Sequence, residues 1–500
     1  MRFIINNKVF YTPYFLLDSV FLLKDNWLGS IKIMVTKMDK KNKLTSGNTF
    51  NTLLLFSLPM ILAVTLQQFY NICDSLIAGR LISDNALSAV SSTYPVTVFY
   101  LAIAVGFGVG ANIITARFMG ERKFENSKTA INTSIVTIAA IGIVVCGIGL
   151  ALLKPILSLL NIGGQPYYND SFTYLLFYTC GILFLFVYNV VTSLFQSLGN
   201  SRIPLYLLIF SIVLNLVLDI IFVKLNMGIS GIAIATFISQ AIASFASLLI
   251  LLIYSKKTLE TNGRLFDFKI LKTILSISIP SIIQGSIISV GGVIIQSLIN
   301  SFGSAVTAGY GASYKIVYVI VNIYTIMSNA ISTFTSANAG AERYDRIKKG
   351  FYSGLLICGI ITLLTTIIFL TIPGPLLNIF GNKDTSPEVV DVGKKFIYCV
   401  APFYIFLCIK IPCDGVLKGA GDMRSFMIGT FVDLFIRIGL SYLFAYTLPD
   451  NYKLIGIFLS WPIGWAIGML ISVLAYRFGR WKKLIGYKSE IIEENCNNTK

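Results

Sequence analysis

The sequence predicts an all-α integral membrane protein of twelve transmembrane helices, arranged as two six-helix lobes by a parallel internal repeat. Three observations carry this expectation. Of the 500 residues, 55% are hydrophobic and 13% charged, with a mean hydropathy of +0.76, whereas a soluble domain holds about a quarter charged residues. Continuous apolar runs recur along the chain at about the twenty residues a helix needs to cross a bilayer, where a barrel would alternate apolar and polar positions. Finally, sequence features of the first half return in the same order in the second.

The twelve runs fall at 52–79, 86–116, 130–153, 170–197, 204–223, 228–254, 272–300, 304–338, 351–372, 394–417, 425–448 and 454–476. They divide the chain into a tail (1–50), a first lobe (51–254), an inter-lobe linker (255–271), a second lobe (272–477) and a C-terminal tail (478–500). An even number of spans puts both termini on one side. With the tails and alternate loops inside, the inner loops and C-terminal tail hold 22 Lys and Arg and the N-terminal tail eight more, against seven outside. Basic residues mark the cytoplasmic side, so a multi-pass protein of the cell membrane with both ends in the cytoplasm is expected. The stretch "FIINNKVFYTPYFLLDSVFLL" near the start is broken by Lys8 and Asp18 and lacks a signal-peptide cleavage site. It reads as an interfacial helix or as a consequence of a mis-called start. The second reading is favoured, because "MDKKNKLTSGNTF" from Met38 is an ordinary basic lead-in; Met34 is the other candidate start.

Composition also excludes function classes. The net charge of +17 sits in short loops between apolar runs, which argues for membrane topology and against a nucleic-acid partner. Histidine is absent, which removes imidazole as base, metal ligand or proton relay, so any proton chemistry must use carboxylates. Seven of the eight cysteines lie in apolar runs and no CxxC pair occurs, which fits buried small residues and not a disulfide framework or zinc site. With no metal-ligand cluster, nucleophile motif or soluble domain, an enzyme is not expected, and neither catalytic residues nor a cofactor are assigned.

The repeat is parallel. "FQSLGNSRIPLYLL" at 195–208 aligns with "LKGAGDMRSFMIGT" at 417–430, pairing Gly199 with Gly421 and Arg202 with Arg424 at an offset of 222. Pro59 pairs with Pro280, and "GERKFENSKTAI" at 120–131 with "AERYDRIKKGFY" at 341–352, both at 221. Two six-span repeats flanking a cavity are a common transporter plan.

Several segments resemble the multidrug and toxic compound extrusion (MATE) family: "LFSLPMILAVTLQQFYNICDSLIAGRL" in span 1, "FQSLGNSRIP" after span 4, "LNLVLDIIFV" in span 5, "MGISGIAIATFISQ" opening span 6, and the "LKGAGDMR" echo. The resemblance covers about residues 50 to 480. It implies a V-shaped exporter of organic cations and other amphipathic small molecules, driven by inward movement of Na+ or H+.

The polar residues inside the first lobe give this a chemical focus. A charged carboxylate at mid-bilayer costs roughly 2.5–3.5 kcal/mol on insertion scales and should face a cavity with partners. Asp219 stands in the apolar run "LIFSIVLNLVLDIIFV" with Asn215 one turn earlier on the same helix face. Asp74 closes span 1 with Tyr70 one turn earlier, and Thr236 lies in span 6. Counted from the outer ends of their spans, Asp74, Asp219 and Thr236 are about 9, 7.5 and 12 Å deep at 1.5 Å per residue. Two acidic oxygens with neutral oxygen donors at one depth make a site for a small hard cation, and two carboxylates in one dry pocket cannot both stay ionised without counter-charge. In the MATE branch with a first-lobe cation site, residues of these types take part at these places, which implies cation-binding roles for Tyr70, Asp74, Asn215, Asp219 and Thr236. The other branch carries carboxylates in spans 7 and 10. Here span 7 offers only Gln284 and Gln296, while Asp414 can pair with Lys410, and Asp433 with Arg437, within their own helices; Lys315 is left without a local acid.

Substrate-cavity candidates are Gln67, Phe69, Phe99, Tyr178, Phe184, Tyr188 and Gln284, since aromatic walls with few polar groups suit varied ligands. Pro59 and Pro280 are hinge candidates, because proline lacks an N–H and clashes with the preceding turn. A monomer is expected. The rival reading is a lipid-linked oligosaccharide flippase of the same superfamily, for which a cavity rich in arginine would be expected. Away from the span ends, only Lys315, Lys410 and Arg437 lie in the spans, which favours the exporter.

Overall fold

The computed structural model describes residues 3–5, 8–10, 43–160, 162–380 and 386–486. The candidate starts at Met34 and Met38 and most of the C-terminal tail lie outside the described residues. The chain divides into two units, Met1–Asn42 and Lys43–Lys500. In the first, strands β1 (Phe3–Ile5) and β2 (Lys8–Phe10) pair antiparallel, with Phe3 opposite Phe10. An interfacial helix is therefore not formed at these positions, whose β-branched and aromatic residues fit an extended backbone.

The second unit is helical among its described residues. A 3₁₀ turn at Lys43–Thr45 leads into α1 (Thr49–Ile77), and a π-helical turn at Ala78–Ile82 ends the first span. There follow α2 (Asp84–Gly120), α3 (Phe124–Ala151), the short α4 (Leu153–Leu159), α5 (Tyr168–Cys180), α6 (Ile182–Ser197), α7 (Arg202–Lys224) and α8 (Gly228–Leu259). The second half repeats this order: α9 (Phe268–Asn300), α10 (Ser304–Gly340), α11 (Tyr344–Thr371), the short α12 (Pro373–Phe380), α13 (Pro387–Val400), α14 (Tyr404–Ala420), α15 (Met423–Thr447) and α16 (Asp450–Phe478), closed by α17 (Trp481–Leu484). Among the described residues, eleven stretches are long and apolar enough to cross a membrane, and the pair α5–α6, bent by 49°, makes a twelfth when read as one broken span.

Two features were invisible as apolar runs. The fourth span breaks at Gly181, and the tenth breaks at the matching place, where Ala401–Phe403 forms a 3₁₀ turn around Pro402. The short α4 and α12 also occupy matching positions after the third and ninth spans. At the conserved spacing of the repeat, Gly199 and Gly421 take positive φ (77° and 86°), a conformation open to glycine at little cost. The next residues cap the following helices in the same way: Asn200 Oδ1 accepts from the Arg202 and Ile203 N–H groups, and Asp422 Oδ1 from that of Ser425. Reversal and cap together explain why this tetrapeptide recurs in both halves.

The halves meet along α2, α9 and α10. The Ser278 hydroxyl donates to the Phe107 carbonyl (3.2 Å), and that of Ser336 to the Ile113 carbonyl (2.7 Å). At the basic ends the approach is closest. A Cβ on Gly120 would overlap the Ala337 carbonyl, and one on Gly340 would overlap that of Arg117. Arg117 Nη2 donates to the Ala420 carbonyl (3.0 Å). Arg346 and Arg343 clasp the entry to α1 through the Gly47, Ser46 and Thr45 carbonyls.

Candidate cation site and central recess

The first-lobe cluster assembles from three helices. Asn215 and Asp219, one turn apart on α7, are fully buried, and Thr236 of α8 nearly so. The orientation of the Asn215 amide follows from its neighbours. With its nitrogen toward α1 it donates to Tyr70 Oη (3.1 Å) and to Asp219 Oδ2 (2.9 Å), and its oxygen accepts from Ser239 Oγ (3.3 Å); the reverse orientation would point the oxygen at acceptors only. The same end of the amide lies 3.4 Å from Thr236 Oγ1. Tyr70 in turn hydrogen-bonds Asp74, one turn later on α1, and Asp74 and Asp219 interact electrostatically. Thus Tyr70 and Asn215 stitch the two carboxylates into one network.

The network is unfinished in a specific way. Asp74 Oδ1 and Asp219 Oδ1 are both buried and have no hydrogen-bond partner among the described residues. Buried carboxylate oxygens are normally satisfied, and exceptions point to an ion, a water or a functional site. The donors that remain are all oxygens, the preference of a hard cation. An apolar layer packs beside them: Ile77, Ala78, Ala86, Ile229 and Ile232 form a buried cluster that Tyr174 and Val223 join. Such a layer keeps the local dielectric low and strengthens attraction for a cation.

Sequence reasoning missed two members. Tyr174 of α5 lies within electrostatic range of both Asp74 and Asp219, and Ser239 touches the Asn215 amide. Neither carries a charge, and Tyr174 is far from the others in sequence, so only the fold reveals them.

The substrate candidates do not converge on one spot. Tyr178 stacks on Tyr100 and packs on Tyr174, next to the cation cluster. Phe184 packs instead against Phe237 and the exposed Phe245 of α8. Phe69 and Phe99 are exposed; Gln67 and Tyr188 are half-buried. Gln284 is turned into the second lobe, 3.4 Å from Thr430 Oγ1. Pro59 and Pro280 both lie inside unbroken helices, α1 and α9.

Two lining features went unpredicted. Tyr310, Tyr314 and Tyr318 stack along one face of α10, with ring centroids 5.7 Å apart at each step. Tyr94 of α2 lies within electrostatic range of Tyr314 and Tyr318 on one side and of Tyr178 on the other, which makes an aromatic column between the halves. A small recess between the halves is lined by Asn112, Gln196, Asn329, Ser332 and Thr333, drawn from both of them. Thr333 Oγ1 donates to Asn112 Oδ1 (3.0 Å), and Lys418 Nζ to Asn329 Oδ1 (2.8 Å). These amides and hydroxyls are neutral, so no sequence signal distinguished them from ordinary span residues.

In the second lobe two buried ion pairs form within single helices. Lys410 Nζ sits 2.6 Å from Asp414 Oδ2, and Ser472 donates to the other oxygen at 2.6 Å. Arg437 Nη2 sits 2.8 Å from Asp433 Oδ1. Lys315 is exposed.

Comparison with known proteins bears on the family and the fold. The family model MatE matches the chain twice, at residues 59–221 and 280–443. The chain is 29% identical over 444 residues to the probable multidrug resistance protein YpnP of Bacillus subtilis (strain 168), covering 88% of this chain and 97% of that protein. It is 24% identical over 457 residues to the probable multidrug resistance protein YoeA of the same organism, covering 88% and 96%. Its fold matches a crystal structure of MATE in complex with MaL6 with a TM-score of 0.82 at 21% identity, over 89% of this chain and 99% of that one. Two copies of the family pattern on a two-lobed twelve-helix fold leave one conclusion: the chain belongs to the MATE family of membrane transporters.

Proposed function

We propose that the chain exports amphipathic and cationic small molecules across the cell membrane by alternating access, in exchange for Na+ or H+, with both termini in the cytoplasm. The observation that carries this reading is the pair Asp74–Asp219, joined through Tyr70 and Asn215, with one buried oxygen on each carboxylate left without a partner among the described residues. An ion that enters from outside relieves the repulsion between the two acids. It changes the balance between lobe arrangements only in so far as it binds one of them better. The oxygens come from α1, α7 and α8, so any movement of α1 against α7 alters the site, and this is the physical link between ion binding and the shape of the cavity. The names of the relatives, both multidrug resistance proteins, support the substrate class.

The flippase reading has less support. Arg437 and Lys410 are taken up by acids on their own helices, and the central recess is floored by neutral groups, where a lipid-linked diphosphate would call for free arginines.

The test is cation-driven uptake of a fluorescent dye into everted membrane vesicles. Asp219→Asn should insert normally and lose ion-driven uptake. Uptake equal to the parent would remove Asp219 from the coupling site. Imposing a Na+ gradient and a pH gradient one at a time identifies the driving ion.

A further inference from the structure

The internal repeat makes it possible to ask what the second lobe holds where the first holds its cation cluster. The register follows from the structure. On α8, Gly231 gives way to α7: a Cβ there would come 2.9 Å from Phe222 Cβ. On α16, Gly456 does the same for α15, 2.8 Å from Phe444 Cβ. Phe222 and Phe444 are 222 residues apart, the offset of Gly199 and Gly421; Gly231 and Gly456 are 225 apart, and Ala241-Ile242 returns as Ala466-Ile467 at that same spacing. In this register Asn215 corresponds to Arg437, Asp219 to Ser441 and Thr236 to Trp461. From the Pro59–Pro280 pairing, Tyr70 corresponds to Gly291 and Asp74 to Ile295.

The contacts agree with the register. Asn215 touches Thr236 across α7 and α8. Its counterpart Arg437 lies over the ring of Trp461, the counterpart of Thr236, with its guanidinium carbon 4.4 Å from the centroid. Both carboxylates of the first lobe are absent: Ile295 is buried and apolar, and Ser441 satisfies itself against Ser460 (2.7 Å) and the Arg437 carbonyl. In their place stand a positive charge and one acid, Asp433, which faces Gly464, the counterpart of Ser239, with a Cβ there only 2.7 Å from Asp433 Oδ1.

We propose that Arg437 is a tethered cation, standing where the first lobe takes an exchangeable one, so that only the first lobe exchanges an ion during transport. The guanidinium makes the two contacts a bound cation would need in this lobe, a carboxylate at 2.8 Å and an aromatic face. Lys410, the other cation near Asp433, is committed to Asp414 at 2.6 Å. Removing Arg437 therefore leaves Asp433 buried without a direct counter-charge and creates a demand for a mobile cation. This inference rests on the first-lobe coupling site proposed above.

The test uses the full-length protein in proteoliposomes, with guanidinium chloride at low millimolar concentration as the probe. Arg437→Ala should lose dye uptake by roughly tenfold or more, because an unpaired buried charge is strongly unfavourable. Guanidinium should restore that uptake in a saturable way and leave the parent protein unchanged. Arg437→Lys should retain uptake. The double variant Asp433→Asn/Arg437→Ala, which lacks the acid as well, should fold and transport with no need of guanidinium. It also keeps the test decisive if Arg437→Ala alone does not fold. Parental uptake by Arg437→Ala without added guanidinium would overturn the proposal. So would failure of guanidinium to restore it, or a double variant as defective as the single one. Asp219→Asn, measured alongside, reports on the first-lobe site separately, since the rescue is read in a chain whose first lobe is intact.

Discussion

Tyr70 is the residue on which the cluster turns. Its hydroxyl accepts from Asn215 and bonds Asp74, so it links the polar groups of α1 to those of α7. Tyr70→Phe keeps the ring and removes that atom. One hydrogen bond is worth about 1 kcal/mol, so the ion concentration for half-maximal transport should rise roughly fivefold, with maximal rate and expression little changed. An unchanged half-saturation would mean that the two acids do not communicate through this hydroxyl. At this scale the sequence was legible wherever a charge broke an apolar run. Asp219 and Asp74 announce themselves by their cost in lipid, and Asn215 and Tyr70 by standing one turn away on the same face. Ser239 and Tyr174 sent no such signal, because a hydroxyl in a span costs little and occurs everywhere.

Among elements, the proline of α1 carries the most weight. Pro59 lies eleven residues before Tyr70, where the cluster begins, inside a helix that runs unbroken from Thr49 to Ile77. An interior proline costs a helix about 3 kcal/mol, so Pro59→Ala should leave thermal stability equal or higher. If the weak point is used as a hinge, dye transport should slow at the same time. Parental transport in Pro59→Ala would show that Pro59 is not a hinge. The breaks at Gly181 and at Ala401–Phe403 were not legible, because a span reads as one apolar run whether it is straight or bent, and Gly and Pro are common in membrane helices. The reversal at Gly199 and Gly421 was legible as a repeated motif, and its reason, the left-handed backbone followed by an Asn or Asp cap, emerged only with the fold.

For the whole molecule, the basic ends of α2 and α10 are in contact through Gly120 and Gly340. The alternating access proposed above requires this contact to open. Gly120→Val places a side chain against the Ala337 carbonyl and should hold the ends apart. A cysteine introduced by Thr333→Cys, at the floor of the central recess, should then react faster with a membrane-impermeant thiol reagent from the cytoplasmic face, read at that site by mass spectrometry. Unchanged reactivity would mean that the two glycines do not form the inner seal. The twelve spans and the two-fold repeat were legible from hydropathy and offset alone, since the bilayer sets the length of every helix. The close approach at Gly120 and Gly340 and the aromatic column between the halves were not, because both depend on how the halves face each other.

The central claim is that Asp74 and Asp219, 145 positions apart in the sequence, act as one site. A double-mutant cycle on gradient-driven dye uptake in proteoliposomes tests it most directly, since residues of a shared network are non-additive. Asp74→Asn and Asp219→Asn should each abolish the response to the driving gradient, and the double variant should be no worse than either. Two partial losses that combine independently, or a full gradient response in either single variant, would contradict a shared cation site.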